Sequence, residues 1–202
     1  MLQLVYAYSP TKTVENKNEF AFGLNGDLPW PRIGKDMKNF AFRTAGSVLI
    51  CGAKTFMSFR APLPGRKCIV VQDMSRPFAA AKNGELADCY ISDLEFTGFL
   101  GGDILVGLAG DDTPTTFSPH ASGDYSVIGG AAILAKALLY ADKIVATTIR
   151  KKHRVNSDVQ LEHSFIMYPM WEESNFRAIE MNWSYIDELT NISEDVFIKI
   201  KD

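Results

Sequence analysis

Gly23-Leu-Asn-Gly-Asp-Leu-Pro-Trp30-Pro-Arg-Ile-Gly-Lys-Asp36-Met-Lys-Asn-Phe40-Ala-Phe-Arg43 divides into two parts of opposite character. The first is dense in Gly, Asn, Asp and Pro, residues that punctuate a chain with turns, and it leads to a large aromatic, Trp30. The second, Lys35–Arg43, carries no breaker and reads as a short helix with Met37, Phe40 and Ala41 on its apolar side. Asp36 lies one helical turn before Phe40, so the two side chains share a face. A carboxylate beside an aromatic ring can grip a flat, nitrogen-rich heterocycle, the acid accepting from ring N–H groups while the ring stacks. Taken alone, an acid in the first turn of a helix serves the helix dipole. The pair gains meaning only from its surroundings.

Working outward, strand-like runs alternate with helical patterns, which predicts an α/β sheet with parallel crossovers, helices on both faces and a mostly parallel, twisted centre. Leu2–Tyr8 reads as a first strand, followed by a polar loop over Ser9–Phe22. Ser47–Cys51 is a continuous apolar run ending at Gly52, the pattern of a buried strand feeding a helix, here Lys54–Phe59. The turn Ala61-Pro-Leu-Pro-Gly65 stops that helix. Cys68–Val71, Asp88–Ile91, Ser126–Ile128 and Lys143–Ile149 read as further strands, and Gly130–Tyr140 as a helix. Phe176–Ile186 and Asp195–Ile200 predict an antiparallel hairpin added at the sheet edge. The stretch Gly98–Gly123, rich in Gly, Asp, Thr and Pro, reads either as a small hairpin around Ile104–Leu108 or as a loop.

The chain has 202 residues, enough for one domain spanning 1–202 with 98–123 as a loop-rich insertion, and no staple is required. A net charge of −3 and a pI of about 5.7 exclude the clustered basic surface that nucleic acid demands. Cys51, Cys68 and Cys89 are odd in number and widely spaced, which suits buried free thiols in a reducing compartment rather than a disulfide framework. His120, His153 and His163 are scattered, so no metal site is expected. Met1–Lys12 lacks a basic leader region and reads as strand rather than signal peptide. No apolar run approaches membrane-span length, so no membrane partner is expected. The expected location is the cytoplasm.

Three further signals concern ligands. Gly129-Gly130 closes a buried strand and opens a helix, where unpaired backbone N–H groups suit a phosphate. Gly52-Ala-Lys-Thr55 repeats that arrangement, though it is no P-loop. Each has an ordinary alternative: a tight turn for the glycines, a solvated lysine for Lys54, a helix cap for Thr55. Together they suggest an extended diphosphate-bearing ligand. Arg66 follows the rigid turn Leu63-Pro-Gly65 and precedes a buried strand, a position from which a guanidinium can hold a carboxylate in bidentate fashion.

The order and spacing of these signals carry a resemblance. Asn25-Gly26-Asp27-Leu28-Pro29-Trp30-Pro31 resembles the active-site loop of dihydrofolate reductases, with Asp36 six residues beyond Trp30 and Phe40 four beyond that. Gly52-Ala-Lys-Thr55, Leu63-Pro-Gly-Arg66 and Val127-Ile-Gly-Gly130 follow in the family's order, and so does the C-terminal hairpin. The likeness is nearest to the enzymes of T4-like bacteriophages, through Tyr8-Ser-Pro-Thr-Lys-Thr-Val14 and His153-Arg-Val-Asn-Ser157. It implies NADPH as cofactor, dihydrofolate as substrate, antifolates as inhibitors, and a monomer or homodimer in the cytoplasm, that of the host if the chain is phage-encoded.

The resemblance also implies roles. Asp36 would bind the pteridine N3 and 2-amino edge and favour protonation at N5, supported by Thr147. Val5 and Ile128 would offer backbone carbonyls near the rings, and Ala7 would border both substrate and nicotinamide. Met37, Phe40 and Phe59 would form apolar walls, and Arg66 would hold the glutamate α-carboxylate. Leu28 and Trp30 would close over the nicotinamide. Lys54, Thr55, Gly129, Gly130, Ala131 and Ala132 would cradle cofactor phosphates, with Gly23, Gly52, Ala53, Val71, Gln72, Arg76 and Ile133 along the rest of the cofactor. The Gly129–Gly130 peptide would be cis.

Some positions depart from the family pattern. Ala53 stands where Arg or Lys often sits, and Gln72-Asp73 where Ser-Arg or Ser-Ser often sits, so Asp73 would repel a 2′-phosphate unless Lys54, Arg76 or Lys82 compensates. Leu134 replaces a frequent tyrosine and Phe56 a frequent tryptophan. A pyrimidine reductase of the same fold would not need Asp36, Phe40 and Arg66 together. A non-catalytic virion component would not need an intact active-site loop.

Overall fold

A computed structural model of the chain describes residues 1–107, 115–117 and 123–200. The elements run β1 (Leu2–Lys12), β2 (Asn18–Gly23), α1 (Gly34–Arg43), β3 (Val48–Gly52), α2 (Ala53–Ser58), β4 (Cys68–Val71), β5 (Cys89–Ile91), α3 (Asp93–Gly101), β6 (Leu105–Gly107), β7 (Thr115–Phe117), β8 (Tyr125–Gly129), α4 (Ala131–Ala137), β9 (Lys143–Lys151), β10 (Val159–Gln160), α5 (His163–Met167), β11 (Phe176–Asp187) and β12 (Thr190–Lys199). They fall into two compact units: Met1–Gln3 with Thr44–Ala141, and Leu4–Arg43 with Asp142–Asp202.

In the first unit the strand order is β8-β3-β4-β5, and every neighbouring pair is parallel. Parallel strands are covered on both faces and therefore read as unbroken apolar runs. Ile50, Cys51, Ile69, Val70 and Val127 accordingly have no more than 2% of their surface exposed. The three cysteines are free and buried. Helix α4 passes into a 3-10 turn over Leu138–Tyr140, which shortens the α-helix expected as far as Tyr140.

The reading of Gly98 onward as loop or hairpin needs correction. Residues 98–101 are the end of α3, a helix that the glycines Gly98 and Gly101 conceal in the sequence. Its start is fixed by a capping box: the Ser92 hydroxyl accepts from the Glu95 amide, and the Glu95 carboxylate accepts from the Ser92 amide. Phe96, Phe99 and Leu100 bury its inner face, and Gly102, at φ 114°, ends it. Beyond it the small hairpin does form, with Leu105 opposite Phe117. The rest of the expected insertion, 108–114 and 118–122, lies outside the described residues.

In the second unit the order is β11-β12-β9-β1, with β2 pairing β1 and β10. The C-terminal hairpin pairs antiparallel with β9, Glu194 standing opposite Thr147. Both of its strands run longer than expected, leaving only residues 188–189 between them. The polar loop expected over Ser9–Phe22 is instead the hairpin β1–β2, with Ser9 opposite Ala21 and Lys12 opposite Asn18. Its turn closes where the Thr13 amide donates to the Lys17 carbonyl at 2.9 Å, with Asn16 at φ 63°. Polar residues tolerate a strand where one face meets water, so composition gave way to pairing. The core of this unit gathers Trp30, Ala21, Ile33, Ile149, Val155 and Ile192, with Ala7 and Ile186 packed against it.

Candidate active site

The decisive stretch begins in a tight turn. Leu24 and Asp27 exchange both backbone hydrogen bonds, at 2.9 and 3.0 Å. Asn25 and Gly26 sit at φ 52° and 77°, the positive pair that a mirror-image type I turn requires. Asp158 tethers the turn, accepting from the Asn25 amide at 2.8 Å and donating its own amide to the Gly23 carbonyl at 3.0 Å. Gly23 is sterically fixed, since a Cβ there would stand 3.3 Å from that of Val159. The chain then presents Leu28 to solvent, 39% exposed, and turns Trp30 inward, with its indole N–H buried and unpaired. Trp30 thus anchors the loop while Leu28 is its outward tip.

Helix α1 inverts the usual pattern. Asp36 is its one buried residue, 4% exposed, whereas Met37 and Phe40 are half-buried and Ala41 is exposed, contrary to the expected packing of Ala41. Burial and, second, the like charge of Glu194 push the Asp36 carboxyl up to about 6. Thr147 on β9 is buried directly across the strand pair from Glu194. No direct hydrogen bond joins it to Asp36 among the described residues. Val5 is buried on β1 and Ala7 half-buried two residues further along.

The sequence reading passed over the ion pair behind this acid. Arg43, seven residues after Asp36 on the same helix, donates from Nε and Nη2 to Glu194 Oε1 at 3.0 and 2.7 Å. The same guanidinium also grips Glu180 on β11. A signal for it existed: Glu194 alternates with Ile192 and Val196, an acid at a core-facing strand position.

The first unit builds a different surface. Gly52 ends β3 opposite Val71 at the end of β4, and Gly129 ends β8 opposite Cys51 after a shift of register; this is the carboxyl edge at which open α/β sheets bind ligands. Helices α2 and α4 start there from Gly52 and Gly130, neither with a side-chain cap, so Thr55 is no cap. Their first-turn N–H groups are left without side-chain acceptors. The two turns abut: a Cβ on Gly52 would lie 3.6 Å from the Gly130 nitrogen, and one on Gly130 would lie 3.7 Å from Thr55 Oγ1. Gly129 has φ 147°, backbone that favours glycine, and the Gly129–Gly130 peptide is cis. Ala53, Thr55, Ala131 and Ile133 are half-buried around this edge, with Lys54 and Ala132 exposed.

Past β4, the Gln72 side chain is committed to its own loop, with Oε1 accepting from the Ala79 amide at 3.0 Å. Asp73 accepts from the Ser75 amide and hydroxyl, bonds that hold its carboxyl below the usual range. Arg76 approaches Asp73 at 3.4 Å and is largely exposed. Elsewhere in this unit, Phe59 is half-buried, edge-on to Phe56. Ile128 is buried near the end of β8. Arg66 donates to Thr44 Oγ1 at 2.8 Å. Burial holds its guanidinium below the usual arginine value, and no carboxylate pairs with it among the described residues. No helix among those residues is long and apolar enough to cross a membrane, and none of their acidic, His or Cys groups cluster as a metal site would.

Known proteins match this arrangement. A family model described as dihydrofolate reductase matches residues 12–94. The chain is 30% identical to the dihydrofolate reductase of Bacillus subtilis (strain 168) over 167 residues, 82% of this chain and 79% of that protein. It is 29% identical to the type 8 dihydrofolate reductase of Escherichia coli over 143 residues, 69% of this chain and 73% of that one. Among solved structures, the dihydrofolate reductase of Enterococcus faecalis complexed with NADP(H) and RAB-propyl superposes with a TM-score of 0.64 at 19% identity. That match covers 100% of this chain and 97% of the other, and it establishes a shared fold. With a relative at 30% identity aligned over most of both chains, this protein belongs to the dihydrofolate reductase family.

Proposed function

We propose that the protein reduces 7,8-dihydrofolate to tetrahydrofolate with NADPH, as a single catalytic domain supporting thymidylate and one-carbon metabolism in the cytoplasm. The observation that carries this reading is Asp36, a buried acid on a helix whose other side chains stay partly open, flanked by Met37 and Phe40. A group withdrawn from water at that cost to stability is placed for chemistry.

The residues present fit the cofactor. The uncapped starts of α2 and α4, brought together at Gly52 and Gly130, offer backbone donors to a diphosphate with no side chain in the way. NADPH, when bound, supplies the hydride. Asp36 accepts hydrogen bonds from the N3 and 2-amino edge of the pteridine and, by its charge, raises the basicity of the ring at N5, which takes a proton from a water admitted past Leu28 as C6 gains hydride. Phe40, Met37 and Phe59 wall the pterin and aminobenzoyl groups. Arg66 receives the glutamate α-carboxylate. Leu28, exposed on its loop, excludes bulk water when the loop closes. Inhibitors that mimic the pterin edge would meet the same acid.

Asp73 bears on cofactor choice. Its carboxylate stands beside Arg76, which weakens that cation as a 2′-phosphate ligand. The expected preference for NADPH over NADH is modest, and Asp73→Ser raises it. The likeness of Tyr8–Val14 and His153–Ser157 to phage enzymes supports a T4-like origin.

The direct test follows loss of reduced nicotinamide absorbance with NADPH and dihydrofolate, for the native protein and Asp36→Asn. Turnover by the native protein and a fall of about 1000-fold in the variant are expected. Absence of native turnover rejects the proposal.

A further inference from the structure

Asp36, Phe40 and Arg43 lie at i, i+4 and i+7 of α1, one stripe of the helix. One end of that stripe bonds an acid whose like charge acts on the other end. Arg43 bonds Glu194 through two nitrogens, and both side chains are at least nine-tenths buried. The like charge of Glu194 also raises the Asp36 carboxyl. The other charges of the unit are differently placed. Lys35 and Lys38 on α1, and Arg32 before it, are exposed. Glu180 is engaged by Arg43. Asp195, next to Glu194 on β12, feels the like charge of Glu194 and the opposite charge of Arg150, and acts in turn on Tyr6 and Tyr8. Thr147, Val5 and Ala7 bring no charge.

We propose that Glu194, clamped by Arg43, is a positioning residue that sets the proton affinity of Asp36 and with it the lower pH limit of the reaction. The inference rests on the function proposed above. Arg43 offsets the cost of burying the Glu194 carboxylate, which without a partner at that depth would be an uncompensated charge. The pair sits in a poorly screening interior, and the like charge of Glu194 acts from there on Asp36. Asp36 therefore holds its proton to higher pH than burial alone would achieve. Glu180 touches Arg43 as well, yet it lies at the partly exposed end of the network, where water screens its charge. The two glutamates thus share the clamp while one supplies the field.

The test is a carbon-detected NMR titration of the Asp36 carboxyl in the full chain without ligands, for the native protein, Glu194→Gln and Glu180→Gln. The native midpoint is expected near 6. In Glu194→Gln it falls by about 1 pH unit, while Glu180→Gln stays close to native. An unchanged midpoint in folded Glu194→Gln overturns the proposal, and equal shifts in both variants reduce the network to a structural clamp. If Glu194→Gln does not fold, Arg43→Met with Glu194→Leu removes both charges together, a replacement that buried pairs tolerate. The same fall is then expected. A parallel single-turnover pH profile should show Glu194→Gln about fivefold faster than native at pH 5 and within about twofold at pH 8. Failure of the native protein to reduce dihydrofolate would strike the proposed function alone, since the titration needs no turnover.

Discussion

At Asp36, burial withdraws a carboxylate from water while Glu194 sets a like charge nearby, and both influences favour the protonated form. The folded state therefore binds this proton more tightly than the unfolded chain. Its contribution to stability is full below the unfolded value of 3.8 and is lost as pH rises through about 6. The span corresponds to a cost of about 3 kcal/mol for the ionised acid at neutral pH. Asp36→Asn removes that cost, so denaturant melts at pH 7.5 should show the inactive variant more stable than native by about 2 kcal/mol, with the difference vanishing near pH 4. A native protein no less stable at pH 7.5 would mean that the carboxylate is better solvated than its surroundings indicate. Arg43 predicts the reverse. Arg43→Met leaves Glu194 buried without its partner, and the loss by the same measurement should be about 3 kcal/mol. Asp36 and Arg66 could be singled out in the sequence because turn chemistry and helical spacing frame them. Arg43 and Glu194 could not be joined, because 151 positions of chain separate them and only the pairing of β12 with β9 brings the acid to that face.

Among the elements, boundaries set by local chemistry were the legible ones. The apolar runs at β3 and β4 end at turn residues and appear nearly where expected. Helix α3 escaped notice although its capping box, Ser92 with Glu95, is written in the sequence, because Gly98 and Gly101 mask the helical period. That box is far from the proposed chemistry, so Ser92→Ala should cost about 1 kcal/mol in thermal melts and leave turnover unaltered. The β8–α4 turn should behave in the opposite way. Gly129 at φ 147° cannot accept a Cβ without strain, so Gly129→Ala should cost stability by about 1–2 kcal/mol and raise the KM for NADPH more than that for dihydrofolate. A variant whose two KM values rose equally would place this turn outside the cofactor surface. The β1–β2 hairpin was unreadable for another reason. Its strands are polar on one side, and what makes them strands is the partner each finds, β1 for β2 and β2 for β10.

For the whole molecule, the proposed cofactor surface makes binding a source of stability. NADPH at about 100 times its Kd should add roughly 2.7 kcal/mol and raise the melting temperature, by mass action on the folded state. NADH at equal concentration should add less, and the gap should widen in Asp73→Ser. No shift with either nucleotide would remove the glycine-lined strand ends from the proposed site. By itself, the amino-acid sequence determined the α/β class, the parallel strands, the turn before Trp30, the acid and aromatic on one helix face, and the two glycine turns. These depend on side-chain chemistry within a few positions, where propensity and periodicity act directly. Tertiary structure alone decided that Asp36 is the buried member of its helix, that Trp30 faces inward, and that Glu194 and Arg43 stand behind the acid. Burial and through-space charge depend on which distant strands pack together, and no local pattern encodes a field that crosses from one strand to a helix.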